Sequence, residues 1–326
     1  MRLWFDILTP KQVNFFKPVI DELKDHEILC TSRAFRETIE LAKIRGLDLE
    51  VIGNYGLTLY DKLVISAERV HKLASIINDY KPDKLITFSS PDACRVAFGL
   101  KIPILCFNDS PHAEAVCKLT LPLVDKLMYP WIIPREEFIK YGINNKKLIP
   151  YKALDPSIWI KPIGNSNKNF ILFRLEESKA AYLHNKRSIA LELLDRIAER
   201  YNVIALARYE DQINAIKDLG INVLEDVIDG LMLLKDAALF IGSGGTMNCE
   251  AALLGIPNII YNMKDIHINR YLIANRLSYT FDTIDEIIES IPRLINAREE
   301  FQANSKKVLS SMEDLKKRIV DEIEKN

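Results

Sequence analysis

The chain has 326 residues, 48% of them hydrophobic and 27% charged, with a formal net charge of −1. That length suits two α/β domains better than one core, and the composition is that of a soluble globular protein. A charge so near neutrality excludes a polyelectrolyte grip on nucleic acid, and no nucleic-acid partner is expected.

Short dense apolar runs alternate with stretches of helical period. In the first half Leu3–Leu8, Glu27–Cys30, Leu49–Ile52, Lys84–Phe88, Ile102–Phe107 and Val124–Tyr129 read as strands. The clearest helix is Asp61–Tyr80, where Leu63, Ala67, Val70, Ala74 and Ile77 recur at three- and four-residue spacing and predict one buried face. Pro82 follows it as a stop. The apolar run Leu119–Pro134, with Trp131, offers a shallow membrane contact, although its centre reads better as a core strand.

The second half repeats the alternation. Strands are expected at Asn169–Phe173, Val203–Ala207, Asn222–Leu224, Ala238–Ile241 and Asn258–Tyr261, with helices near Ser178–Tyr201, Asp211–Leu219 and Thr246–Leu254. Strand–helix alternation of this kind predicts parallel sheets covered on both faces. The reading is α/β, with two Rossmann-like doubly wound domains facing across a cleft. An N-terminal domain over 1–155, a linker over 156–168 rich in Pro, Gly, Asn and Ser, and a C-terminal domain over 169–295 are predicted. Residues 296–326 follow as an amphipathic helix, its stripe Val308, Met312, Leu315, Ile319 and Ile323 docking on the body.

The cysteines (Cys30, Cys94, Cys106, Cys117, Cys249) form no Cys-x-x-Cys pair and lie mostly in apolar runs, so buried thiols are expected rather than disulfides or zinc ligands. The sequence opens on a strand-like run without a signal-type segment, and no long uninterrupted apolar window occurs. The cytoplasm is the expected compartment, with peripheral membrane attachment as the variant.

Most chemistry lies in Gly242-Ser243-Gly244-Gly245, which joins an apolar strand to a helix starting at Thr246. Glycines let the backbone turn sharply and a ligand come close. The first helical amides then point outward and the helix dipole adds partial positive charge, which together make a phosphate site. Thr246 caps the helix or lends its hydroxyl. Glu250, one turn in, is badly placed for phosphate and well placed to accept hydrogen bonds from a ribose diol. The plainer reading is a tight turn with Glu250 as a solvated helix residue. A Gly-x-Gly-x-x-Gly dinucleotide fingerprint is absent.

The stretch S-G-G-T-M-N-C-E-A-A-L-L-G-I-P resembles the donor-binding loop of GT-B glycosyltransferases, in particular the bacterial enzyme that adds N-acetylglucosamine to a lipid-linked muramyl intermediate. Ser243, Gly244, Glu250, Gly255 and Pro257 keep that loop's order and spacing. Almost the whole chain, through D-I-L-T-P-K-Q, F-S-S-P-D and F-N-D-S-P-H-A-E-A, resembles a family of uncharacterised, mainly archaeal proteins. Those are classed with these transferases and with UDP-N-acetylglucosamine 2-epimerases. The resemblance implies a nucleotide-sugar donor, UDP-linked, on the second domain, and an acceptor, a lipid-linked one among the options, on the first. Two departures weigh against an epimerase. Phe173-Arg-Leu-Glu-Glu stands where epimerases have His-Arg-x-Glu-Asn, and the distance from the Gly-Gly turn to Gly255-x-Pro257 is one residue longer. The transferases' N-terminal glycine-rich loop is also missing, so acceptor and base do not carry over.

Ligands in doubly wound folds bind outside the carboxyl ends of the strands. There Asp109 and His112 can orient one another as a base, with Asp6 as the competitor; Asn108, Asp109 and Ser110 can equally be turn and cap residues ahead of a helix at Pro111. Arg174 and Arg208 can meet the charge of a leaving diphosphate, or be solvated strand-end arginines. The helix N-terminus and arginines supply the electrostatics, so neither metal nor cofactor is expected, and zinc-ligand spacing is absent. The leading expectation is a GT-B glycosyltransferase. The alternatives are a 2-epimerase and a non-catalytic nucleotide-sugar-binding protein. Oligomeric state is left open.

Overall fold

The computed structural model describes residues 1–56, 58–161, 169–176, 189–207, 209–225, 229–263 and 265–325. The chain forms two compact units, Met1–Ile158 with Glu313–Asn326, and Trp159–Met312.

In the first unit β1 (Arg2–Asp6), α1 (Pro10–Ile20), β2 (Glu27–Ala34), α2 (Arg36–Ile44), β3 (Glu50–Asn54), α3 (Leu59–Tyr80), β4 (Lys84–Thr87), α4 (Pro91–Gly99), β5 (Ile104–Phe107), α5 (Glu114–Thr120), β6 (Lys126–Pro130), α6 (Glu136–Ile139) and β7 (Leu148–Tyr151) alternate. The strands form one parallel sheet in the order β3-β2-β1-β4-β5-β6-β7. Central strands of such a sheet are covered on both faces, which is why Leu3, Trp4 and Phe5 are all fully buried. Phe15 and Phe16 of α1 meet Phe88 and Phe107 edge-on over the strand ends.

In the second unit β8 (Ile171–Arg174), α7 (Ala190–Ala198), β9 (Val203–Leu206), α8 (Glu210–Asp218), β10 (Asn222–Leu224), α9 (Gly230–Asp236), β11 (Leu239–Gly242), α10 (Thr246–Leu253) and β12 (Asn258–Ile260) precede α11 (His267–Ala274), α12 (Ile284–Asn296) and α13 (Arg298–Ser310). Its sheet is also parallel, in the order β10-β9-β8-β11-β12. A last helix, α14 (Leu315–Glu324), returns to the first unit.

Several expectations need correction. The buried face of α3 is Arg69, Leu73 and Ile77, whereas Leu63 is 70% exposed. The inward register follows the charge of Arg69, which two buried carboxylates draw into the core. Strand β7 escaped the apolar pattern because it carries Pro150 at the sheet edge, where a missing amide donor does no harm. Residues 296–326 are not one helix. The Asp314 side chain caps a new start by accepting from the Lys317 amide (3.1 Å), so α13 stays with the second unit and α14 packs on the first. No helix begins at Pro111; α5 begins at Glu114. The change of unit falls at Ile158/Trp159, and Trp159 and Ile160, placed in the predicted linker, pack into the second unit's core. Residues 162–168, like 177–188 of the helix expected at Ser178–Tyr201, lie outside the described residues. The centre of Leu119–Pro134 is β6, a core strand, and no helix among the described residues is long and apolar enough to cross a membrane. All five cysteines are buried and free.

Candidate nucleotide site and first-unit carboxylates

The turn after β11 is held open by steric demands that only glycine meets. Gly244 has φ +101°, and a Cβ there would stand 2.3 Å from Asn269 Nδ2. At Gly242 a Cβ would meet Asn248 Oδ1 at 2.5 Å. Two asparagines brace the backbone. Asn248 Oδ1 accepts from the Gly244 amide (2.9 Å) and its Nδ2 donates to the Ile259 carbonyl (3.0 Å). Asn269 Nδ2 donates to the carbonyls of Gly244 (3.0 Å) and Met263 (2.7 Å). Sequence reasoning missed both asparagines. The four-residue step from Gly244 to Asn248 was the one readable signal.

The helix cap is Gly245, not Thr246, which sits one position inside α10. No side chain caps this end, and a Cβ at Gly245 would meet nothing within 4 Å. The Asn248 amide turns back to the Gly245 carbonyl (3.1 Å), whereas the Thr246 and Met247 amides have no partner among the described residues, the arrangement that receives an oxyanion. Ser243 and Thr246 are half-buried beside it.

Glu250 is only 5% exposed, which removes the reading of a solvated helix residue. Its Oε1 accepts from the indole N–H of Trp159 (2.9 Å). Trp159 gave no sequence signal, since the contact spans 91 positions. Arg174 ends β8 directly opposite Gly242 in the sheet register, so the structure brings it to the turn. Arg208 lies outside the described residues. Close by, Phe173 is fully buried and stacked on Tyr261 at 5.5 Å, and the Tyr261 hydroxyl donates to the buried Glu176 carboxylate. Burial, then the Glu176 charge, pushes the Tyr261 hydroxyl well above its ordinary pKa.

The first-unit carboxylates fall into two separate networks. Asp6 is fully buried, with Oδ1 accepting from Arg69 Nη2 (2.6 Å) and Thr31 Oγ1 (2.6 Å) and Oδ2 facing Arg69 Nη1 (3.3 Å). Arg69 also reaches Asp92 (3.2 Å). A carboxylate so committed is part of a structural ion cluster.

Asp109 belongs to the other network. It takes the Lys11 ammonium (2.5 Å) and the Ser110 hydroxyl (2.9 Å), and Lys11 also meets Asp155 (2.7 Å). Tyr151 donates its hydroxyl to Asp155. Burial pushes the Asp109 carboxyl up, but Lys11, Ser110 and the nearby His112 outweigh it and hold it below the ordinary value. Burial dominates at Asp155, and with Asp109 beside it that carboxyl is raised although Lys11 pulls it down. Lys11 thus holds Asp109 directly, and the charge of His112 also acts on it. Asn108 is a turn residue, its Oδ1 accepting from the Ser110 amide (2.7 Å). Lys11, Asp155 and Tyr151 were not foreseen, being far from Asp109 in sequence. Among the described residues no group of three or more His, Cys, Asp or Glu side chains is placed to hold a metal.

The whole sequence, residues 1–326, matches the family described as protein of unknown function (DUF354). The chain belongs to DUF354. A relative, the uncharacterized protein MJ0665 of Methanocaldococcus jannaschii, is 31% identical over 309 residues, covering 89% of this chain and 90% of the relative. Similar solved structures include the S. aureus MnaA–UDP co-structure, with a TM-score of 0.76 at 14% identity over 99% of this chain and 95% of that one. The UDP-GlcNAc 2-epimerase of Neisseria meningitidis bound to UDP-GlcNAc is similar with a TM-score of 0.69 at 17% identity over 100% of both chains. Spinosyn rhamnosyltransferase SpnG is similar at 0.65 and 14% identity, over 99% of this chain and 100% of that one. At these identities the likeness is one of fold. This DUF354 chain has the paired Rossmann-like α/β architecture of GT-B epimerases and glycosyltransferases.

Proposed function

We propose that this DUF354 protein binds a UDP-linked amino sugar in its second unit and cleaves the bond between diphosphate and anomeric carbon as a 2-epimerase-type enzyme. The observation that carries the reading is the uncapped start of α10 at Gly245, with the Glu250 carboxylate buried one turn later and fixed by Trp159. The diphosphate meets the helix amides and Arg174; Glu250 accepts from the ribose hydroxyls. The higher TM-score of the epimerase over the rhamnosyltransferase supports this choice over sugar transfer. In such a reaction the C2 proton passes to a base, the C2–H electrons form a C1=C2 double bond and the C1–O electrons leave with the diphosphate; diphosphate or water then adds back at C1 as a proton reaches C2 from the opposite face. Asp109, kept ionised by Lys11, is our candidate base. Asp6 is set aside because its side chain is wholly enclosed between Arg69 and Thr31, whereas that of Asp109 keeps 16% of its surface exposed. No metal or cofactor enters the proposal.

Sugar transfer is the second reading, favoured by one observation. The position where 2-epimerases carry a histidine is Phe173, buried and without an ionisable group. Incubation with UDP-N-acetylglucosamine in deuterium oxide separates the two. Deuterium at C2, with an epimerised sugar or free N-acetylmannosamine and UDP, is the expected result. UDP release that requires an added acceptor and leaves C2 protium intact would overturn it in favour of transfer. Tight UDP binding with no turnover under either condition would leave a binding protein.

A further inference from the structure

Arg33, at the carboxyl end of β2, forms no salt bridge among the described residues. It is half-buried, and its Nε is shielded from solvent with no hydrogen-bond partner. The neighbouring carboxylates are fully used. Asp6 Oδ1 serves Arg69 and Thr31, Asp6 Oδ2 serves Arg69, Asp92 Oδ1 takes the Ser66 hydroxyl (2.5 Å), and Asp92 Oδ2 takes Arg69. Asp61, next to Lys62 in sequence, is turned to the Thr58 amide (3.1 Å). Burial works most against the Arg33 charge and the like charge of Arg69 adds to it, outweighing the support of Tyr55, Asp92 and Asp6. A guanidinium stays protonated in proteins, so the strain is not relieved by deprotonation.

Arg33 stacks on an aromatic ring, and a second cation reaches the same ring. Its guanidinium carbon lies 4.8 Å from the Tyr55 ring centroid, and Lys62 Nζ is 5.9 Å from the same centroid. Phe35 packs against that ring at 5.1 Å. Gly56 allows the arrangement, since a Cβ there would stand 2.5 Å from the Lys62 amide nitrogen. The chain therefore passes against the first turn of α3 and delivers Tyr55 beside Lys62.

We propose that Arg33 and Lys62, set around Tyr55, form an oxyanion site in the first unit that takes the phosphoryl or carboxylate group of a second ligand. A planar fork already stacked on a ring matches either group bidentately, and a lysine beside it adds a point charge. The site goes beyond the nucleotide-sugar reading and does not depend on it, because every residue in it belongs to the first unit.

The test uses the full chain as wild type, Arg33→Gln and Lys62→Gln. Thermal unfolding is followed with inorganic phosphate, acetate or chloride at equal ionic strength, and UDP is titrated in parallel. Wild type is expected to gain stability with phosphate or acetate beyond chloride, the more effective anion naming the ligand class. Arg33→Gln should lose about tenfold or more in that affinity, yet unfold without ligand at the wild-type temperature or above. Its UDP affinity should stay within about twofold. A wild type indifferent to both anions would overturn the proposal. So would an Arg33→Gln variant that unfolds earlier and keeps the anion response. A loss of UDP and phosphate binding together would overturn it as a second site. A phosphate response that Arg33→Gln abolishes, in a wild type that does not answer UDP, supports this site while counting against the nucleotide reading alone.

Discussion

Two adjacent glycines at the turn make opposite predictions, and the pair tests the nucleotide site without relying on activity. Gly244→Ala introduces a Cβ at φ +101° and 2.3 Å from Asn269 Nδ2. The backbone strain costs about 1–3 kcal/mol. Displacing Asn269 forfeits its bonds to Gly244 and Met263, each worth about 0.5–1.5 kcal/mol. The sum, about 2–6 kcal/mol, is a large part of a typical domain's stability of ~5–15 kcal/mol. Gly245→Ser should behave differently. Its φ of −108° suits any residue, its Cβ direction is empty, and serine is a favoured N-cap. Stability should change by no more than about 0.5 kcal/mol. The new hydroxyl, however, accepts from a first-turn amide that the diphosphate needs, so UDP affinity should fall about tenfold, close to one charge-assisted hydrogen bond of ~1.5 kcal/mol. Urea denaturation followed through tryptophan fluorescence, together with calorimetric titration of UDP, measures both quantities. If Gly245→Ser binds UDP like the wild type, the amides of α10 are not the phosphate site and the reasoning fails.

Three further outcomes are expected. Glu250→Ala removes the acceptor of the Trp159 indole N–H, costing about 0.5–1.5 kcal/mol, and should weaken UDP binding while leaving inorganic pyrophosphate binding unchanged; equal losses for both ligands would count against a ribose contact. Asp6→Asn leaves Arg69 short of its main partner and should destabilise by about 3–5 kcal/mol with activity per folded molecule retained; a stable but inactive variant would restore Asp6 as the base. Asp155 has a raised carboxyl, so its contribution favours the fold at pH below its ordinary value of 3.8 and is progressively lost as pH rises from there through its folded pKa. Asp155→Asn should therefore gain on the wild type between pH 3.5 and pH 7 in urea denaturation, and a difference that stays flat with pH, or shrinks, would refute the assignment.

The strand–helix alternation was legible because parallel strands covered on both faces are written as dense apolar runs, and Asn222–Leu224 was read to the residue. The turn at Gly244 was legible because glycine is a local signal. What escaped was polar and long-range. Arg69 lies on what the apolar period marks as a solvated face of α3, and only the carboxylates of Asp6 and Asp92, 63 and 23 positions away, turn it inward. Trp159 stands in a stretch that composition assigns to a linker, yet it fixes Glu250. Lys11 decides the charge of Asp109 across 98 positions. Apolar periodicity reports which face is buried on average. It carries no term for a charge that finds its partner inside.

That buried cluster also bears on where a nucleotide is held. Both sheets share the same order through five strands, so each has a switch point beside its first strand, between β1 and β4 in one unit and β8 and β11 in the other. In doubly wound folds ligands enter at this crevice, outside the carboxyl ends of the strands. In the first unit the paired ends are Asp6 and Thr87, and the space beside them is filled by the Asp6–Arg69–Asp92 cluster, with Thr87 Oγ1 donating to the Asp6 carbonyl (3.2 Å). In the second unit the paired ends are Arg174 and Gly242, followed by glycines and an uncapped helix. One crevice is occupied by the protein's own ions, and the other presents a cation, free space and amides. The same topology therefore argues for nucleotide binding in the second unit, and it leaves the first unit's half-buried cations, Arg33 and Lys62, for a different anion.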